Sequence, residues 1–307
     1  MLKPSTPLTA ETVDMALVVP SISNQIRHGT KAGVLDSDGT FVRASGLNRA
    51  RGIMTKSPKK PEVVDQKVLD DAYYGGFLKP HFGHFILEGL SRLWPMRDSH
   101  LPIVWASGNE NLTDWQQFAF QCLGIDPKRF IFPKIAMRVR QLIVPKQGYV
   151  IQTEFHSTHR DFLSVFGVSS QREKKVYLSR SKFRSSICNI VNEELIEARL
   201  QSLGWEIVCP EEISLAEQID IFRTSEAVAG IEGSAFHTVV FCSNVKAKII
   251  LIRRPEPNKN YDTIAVAKKL NQINIDYELT ITPDKMSVQS LEILDPKRLA
   301  AKIEACV

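Results

Sequence analysis

Short apolar runs recur along this chain, separated by stretches in which apolar residues fall three and four apart, the pattern of strands alternating with helices. The first seventy residues carry it weakly. Ala16-Leu17-Val18-Val19 is of strand type, but the Gly-containing turns around it and the polar segment Lys56 to Pro61 predict irregular strands and loops. From Asp70 the pattern sharpens. Tyr73 to Phe77 reads as a strand ending in a loop, Pro80 blocks early helix entry, and helix formers fill His84 to Arg97. Ile103-Val104-Trp105 predicts a buried strand, Trp115 to Leu123 a helix closed by Gly124, and Gln141 to Val144 a strand stopping at Pro145.

A helical segment, His159 to Phe166, and a polar linker, Gly167 to Lys174, lead into a more regular second half. Lys175 to Ser179 is a strand. Asn192 to Leu203 is a helix with Asn192 as its cap, acids in the first turn and Gly204 at its end. Trp205 to Val208 is the next strand, and Ser214-Leu215-Ala216-Glu217 has the form of a capping box opening the helix Leu215 to Thr224. Ala227 to Ala229 is a third strand, a helix starts near Ala235, and Lys248 to Ile252 is a fourth strand. This β-α-β-α-β-α-β order predicts right-handed crossovers and a parallel sheet, an α/β fold.

Length adds that 307 residues exceed the usual single domain, so two α/β domains, or one with an added lobe, are expected. The 43% hydrophobic and 24% charged content is that of a globular chain and excludes disordered and collagenous classes. Lys plus Arg at 39 against Asp plus Glu at 34 gives a net charge of +5, which suits a phosphorylated substrate or allows peripheral contact with an anionic membrane. The basic residues are scattered and not interleaved with aromatics, which argues against a nucleic-acid partner. The five cysteines form no C-x-x-C pair and read as reduced thiols of a cytoplasmic protein. No apolar stretch is long enough to span a membrane, and the N-terminus has no basic-then-apolar signal pattern.

Candidate chemistry gathers first at Gly230 to His237, between a predicted strand and a helix, where open parallel sheets bind ligands. The small residues Gly233, Ser234 and Ala235 allow close approach of backbone, and free N–H groups there suit a diphosphate without a metal. An ordinary tight turn that binds nothing has the same composition. Glu232 would repel phosphate, so it suits a hydroxyl of a ribose or sugar; the alternative is a helix-terminal carboxylate neutralised by the dipole. Arg180, Lys182 and Arg184 place three cations at the carboxyl edge of the first strand of the same sheet, either as phosphate ligands or as solvated loop charges.

In the first half, His84, Glu88 and Arg92 are spaced by four and share one face of the predicted helix. A carboxylate behind a histidine fixes its tautomer and raises its basicity, so His84 backed by Glu88 suits proton transfer; a solvated polar stripe gives the same spacing. His81 and His84, three apart with no further ligand cluster, make only a weak metal motif.

Three segments in order resemble glycosyltransferase family 61, in its bacterial capsular polysaccharide branch. They are His81 to Leu93; Leu178-Ser179-Arg180 with Arg184 and Asn192 to Leu195; and Ser214 to Gln218 with Gly230 to Phe241. Eukaryotic members usually have histidine where this chain has Glu232, and often asparagine near His237-Thr238; bacterial members are more similar here. The resemblance implies a GT-B fold of two Rossmann-like domains facing a cleft: an acceptor-side domain over 1–167, a nucleotide-sugar-binding domain over 168–290, and a helix in 291–307 packing back on the first. It implies inverting transfer from a nucleotide sugar, often UDP-linked, to a glycan or lipid-linked glycan, with no obligatory metal and no cofactor. The donor contacts implied are Arg180, Arg184, Glu232, Gly233, Ser234, Ala235 and His237; His84 and Glu88 carry the catalysis, with His81 and Arg92 on the acceptor side. The competing readings are a non-catalytic nucleotide-sugar or glycan-binding module and an NAD or S-adenosylmethionine enzyme, the last disfavoured because no G-x-G-x-x-G follows a strand.

Overall fold

The computed structural model describes residues 7–23, 26–50, 52–167, 173–183, 188–276, 279–283 and 289–307. The chain divides into two compact units, Met1–Leu163 and Ser164–Val307. Most of the linker expected at Gly167 to Lys174 lies outside the described residues.

The first unit contains β1 (Ala10–Val19), β2 (Gly33–Leu35), a small hairpin of β3 (Asn48–Arg49) and β4 (Gly52–Ile53), β5 (Val64–Phe77), β6 (Ile103–Ser107), β7 (Phe130–Ile131), β8 (Ala136–Pro145) and a second hairpin of β9 (Tyr149–Val150) and β10 (Glu154–Phe155). Six of these strands make one sheet in the order β2-β1-β8-β5-β6-β7. β8, β5, β6 and β7 run parallel, but β1 is antiparallel to both β2 and β8. The unit is therefore α/β, as expected, with a mixed sheet in which β8, β5, β6 and β7 form the parallel part and β1 and β2 an antiparallel edge. Short-range signals picked out only the apolar end of β1, because its first three residues are exposed and gain their partners from β8, more than a hundred residues away. Val13, Val18, Tyr74, Val104 and Leu142 form the core on one face. Trp105 and Phe120 pack in an aromatic cluster with Phe130 and Phe132. The helices are α1 (Phe82–His84), which runs on into a π-helical turn at Phe85–Gly89, then α2 (Asp114–Cys122) and α3 (Ser157–Leu163).

The second unit contains β11 (Lys175–Leu178), β12 (Cys188–Val191), α4 (Glu193–Gln201), β13 (Glu206–Val208), α5 (Leu215–Thr224), β14 (Ala227–Ile231), an eight-residue 3-10 helix (Ser234–Phe241), β15 (Lys248–Ile252), α6 (Asn260–Lys268), β16 (Gln272–Ile275), β17 (Leu279–Pro283), β18 (Gln289–Ile293) and α7 (Pro296–Glu304). Five strands pair in parallel in the order β13-β11-β14-β15-β16. Counted by their place in the chain, these are 2-1-3-4-5, a doubly wound order whose switch point lies between β11 and β14. Lys-Ile-Ile-Leu-Ile of β15 is buried along nearly its whole length because both faces of a parallel sheet are covered. α5 opens with the expected capping box at Ser214 and Glu217. Asn192 precedes α4 in a left-handed conformation and makes no side-chain cap bond, so its expected capping role is corrected. β12, β18 and β17 form a separate three-stranded sheet.

α7 packs inside this second unit, which corrects the expectation that the C-terminal helix returns to the first domain. Leu299, Ala300 and Ile303 join the core beside Ile196 and Leu200 of α4. Glu304 accepts from Lys175 Nζ at 2.8 Å and from Trp205 Nε1 at 2.6 Å.

Candidate functional site

Two clusters, one in each unit, carry the candidate chemistry. In the second unit β11 ends at Leu178 and β14 at Ile231, so Arg180 and the Glu232 to Ala235 turn emerge on either side of the switch point. They meet there. A Cβ on Gly233 would stand 2.7 Å from Nη1 of Arg180, so the guanidinium lies directly on the glycine backbone. It also lies 5.1 Å from the ring centre of Phe183. The following 3-10 helix presents its first N–H groups at the same place, since the opening residues of any helix lack intrahelical acceptors. The helix expected to start near Ala235 is of 3-10 type and begins at Ser234.

Glu232 is 1% exposed. Its Oε2 accepts from the Asn258 N–H at 3.3 Å, while Oε1 has no hydrogen-bond partner among the described residues and lies 3.9 Å from Nη1 of Arg253. Burial raises its pKa, opposed by the N–H groups of Asn258 and Arg254 and the charge of Arg253. A buried carboxylate oxygen without a hydrogen bond keeps the capacity to accept one. His237 is buried and stacks on Tyr261 with ring centres 5.1 Å apart. Arg184 lies outside the described residues.

Behind Arg180 stands a residue that sequence reasoning passed over. Glu193 is fully buried; its Oε1 accepts from the Tyr177 hydroxyl at 3.0 Å and its Oε2 from the Arg180 backbone N–H at 3.1 Å. Burial pushes its carboxyl up to about 7, against the pull of those two donors. In sequence it looked like an ordinary acid in the first turn of a helix.

In the first unit the chain leaves β5, passes Lys79 and enters α1 and the π turn, where the Leu90 N–H reaches back to the Phe85 carbonyl at 3.0 Å. The turn brings His84 and Glu88 together. Nδ1 of His84 is 2.8 Å from Oε2 of Glu88. Arg49, from β3, completes the grip: its Nε donates to Oε1 at 2.6 Å and its Nη2 to Oε2 at 2.7 Å. Burial of the Glu88 carboxyl raises its pKa, but the hydrogen bonds and charges of His84 and Arg49 outweigh this and hold it down at about 2. An ionised carboxylate at Nδ1 fixes that nitrogen as the donor and leaves Nε2 as the acceptor. His84 is about two-fifths exposed, so the ring is reachable from solvent while its partner is not. Lys79 is buried close by; burial lowers its pKa to about 8, with Glu88 raising and Arg49 lowering it.

His81 is exposed, its ring 5.3 Å from that of His84. Arg92 is corrected: the helix ends before it, and its side chain turns into the core, 2% exposed. It donates to the carbonyls of Gly46, at 2.7 Å, and Pro145, and lies over the Tyr74 ring. Gly76, at φ +87°, makes room for it, since a Cβ there would come within 2.9 Å of the Arg92 side chain. Arg92 is thus structural and does not present its charge to an acceptor.

The family model for glycosyltransferase 61 matches residues 82–261, more than half of the chain. The chain belongs to glycosyltransferase family 61. A comparison with curated proteins finds no match. The matched part of this glycosyltransferase runs from Phe82, at the start of α1, to Tyr261, the residue stacked on His237, so the second cluster and the His84–Glu88 pair of the first fall within it. Arg49 and Lys79, which complete the first cluster, lie outside the match. Among the described residues no group of three or more His, Cys, Asp or Glu side chains is placed to hold a metal, and no helix is long and apolar enough to cross a membrane.

Proposed function

We propose that this glycosyltransferase is an inverting enzyme of the GT-B class that moves a sugar from a UDP-linked donor to a hydroxyl of a glycan or lipid-linked glycan. Its setting is surface polysaccharide synthesis in a bacterial cytoplasm, at the inner face of the membrane, without an obligatory metal or other cofactor. The observation that carries the reading is the Arg180 guanidinium lying on Gly233 at the switch point of a parallel sheet, where such sheets bind nucleotides. Arg180 and the amino end of the Ser234–Phe241 helix take the donor diphosphate, and Oε1 of Glu232 accepts from a ribose or sugar hydroxyl.

In the transfer step the acceptor oxygen attacks the anomeric carbon as its bond to the diphosphate oxygen breaks with its electron pair. The acceptor proton passes to Nε2 of His84, with Glu88 stabilising the imidazolium that forms. Arg180 balances charge on the leaving diphosphate.

Calorimetric titration of the purified full chain with UDP tests the donor site. Arg180→Ala is expected to weaken binding at least tenfold; an unchanged titration removes Arg180 from it. Product anomeric configuration, read by NMR with a panel of UDP-sugars, tests inversion, and a His84→Ala protein with wild-type kcat would refute the base.

A further inference from the structure

β5 and β8 are parallel neighbours, so their carboxyl ends open on one edge of the first unit's sheet. β5 leads to Lys79 and the His84–Glu88 turn, and β8 leads to Lys146 and Gln147. The two exits are tied together: Trp94 Nε1 donates to the Lys146 carbonyl at 3.1 Å, and the Gly148 N–H to that of Ser91 at 2.7 Å. Beside the β8 exit lies a groove of about 1120 Å³. Ligand pockets commonly measure roughly 300–1,000 Å³, so this one has room for more than a single sugar.

Its charged walls are Glu11, Asp14, Asp36 and Glu154 against Arg43 and Lys146, an acidic excess on a chain whose net charge is +5. Asp36 is oriented by the N–H groups of Asp38 at 3.0 Å and Thr40 at 2.8 Å. In the groove's wall the backbone N–H and Nδ2 of Asn48 both donate to Oε1 of buried Gln147, at 2.6 and 3.2 Å. Asn48, which lines the groove, is followed in β3 by Arg49, which grips Glu88, so one strand carries a wall residue of the groove and a member of the His84 cluster. Carboxylates and amides pair with sugar hydroxyls, whereas the same acidic excess repels phosphates and uronic acids.

We propose that this groove is the acceptor subsite and takes an uncharged or amino-bearing, not an anionic, oligosaccharide of two or more residues. This rests on the glycosyltransferase reading above and adds where the acceptor lies and what charge it carries. The full chain is to be tested on an array of uncharged, amino-bearing and uronate-containing oligosaccharides, together with Ser37→Trp, which puts a bulky ring on the groove wall, and the double variant Asp14→Lys/Glu154→Lys. The expected result is that the wild type retains uncharged or amino-bearing oligosaccharides and both variants bind them at least tenfold more weakly, the double variant shifting toward uronates. Wild-type preference for uronate-containing glycans, signals unchanged in both variants, or no glycan signal at all overturns the proposal. Thermal unfolding of the same three proteins reports their folding, and UDP titration keeps the readings apart: a wild type that does not bind UDP counts against the donor site, not the groove.

Discussion

Nδ1 of His84 stands 2.8 Å from Oε2 of Glu88, an exposed imidazole set on a carboxylate that solvent does not reach. Arg49 holds that carboxylate by two hydrogen bonds. The geometry needed for a base is thus assembled before any substrate arrives. In Glu88→Gln the amide still accepts from Nδ1–H, but the negative charge that stabilises the imidazolium is gone. We expect kcat to fall by roughly 10² or more, with UDP affinity unchanged. Initial rates of UDP release check this, and wild-type kcat in the variant would take Glu88 out of the chemistry.

The same carboxylate shapes the response to acid. Its pKa lies at about 2 in the folded chain against an ordinary 4.5. A depressed carboxylate contributes stability that is present above 4.5 and lost as pH falls toward 2, here about 3 kcal/mol. Denaturant unfolding of wild type and Glu88→Gln between pH 6 and 2 should show the wild-type advantage shrinking across that window. A gap that does not change with pH contradicts the assignment.

How much of this was legible in the chain follows from range. β15 and the Ser214 capping box were readable because a strand covered on both faces, and a cap spanning three residues, are written locally. The pairing of His84 with Glu88 was readable for the same reason. Arg49 reaches Glu88 from 39 residues away, and β12 pairs with β18 from about a hundred; neither leaves a local pattern. Arg92 was misread because an i+4 spacing implies a shared face only while the helix lasts, and the π turn ends at Gly89. The placement of the C-terminal helix came from the family resemblance and from no local pattern; the residues that hold it, Ile196 and Leu200 of α4, lie far from it in sequence.

Gly233 separates a functional glycine from a structural one. Its φ of −155° is extended and open to any residue, and the atom a Cβ would strike is the far end of the Arg180 side chain. Gly233→Ala is therefore expected to leave stability within about 1 kcal/mol while displacing the guanidinium and weakening UDP binding about tenfold. At Gly230 the obstacle is the Leu178 carbonyl, 2.8 Å from a Cβ, which is backbone and cannot swing away. Gly230→Ala should lower Tm markedly. Equal UDP affinities for Gly233→Ala and wild type would mean that the guanidinium position is irrelevant to the donor.

Glu193 gives the opposite pH dependence to Glu88. Its carboxyl is pushed up to about 7 from an ordinary 4.5, first by burial, with Glu197 adding to the rise and Tyr177, the Arg180 N–H and the Arg180 charge opposing it. A raised carboxyl contributes stability that is fully present below 4.5 and lost as pH rises through about 7, again about 3 kcal/mol. Glu193→Gln keeps an oxygen for the Arg180 N–H and an amide for the Tyr177 oxygen but never ionises. The variant's stability relative to wild type should therefore rise between pH 5 and pH 8, measured by denaturant titration at both. UDP affinity should survive in Glu193→Gln and fall severalfold in Glu193→Ala, because only the alanine releases the backbone that sets Arg180 against Gly233. Parallel stability curves, or a Glu193→Ala protein that binds UDP like wild type, would show that Glu193 merely fills the core.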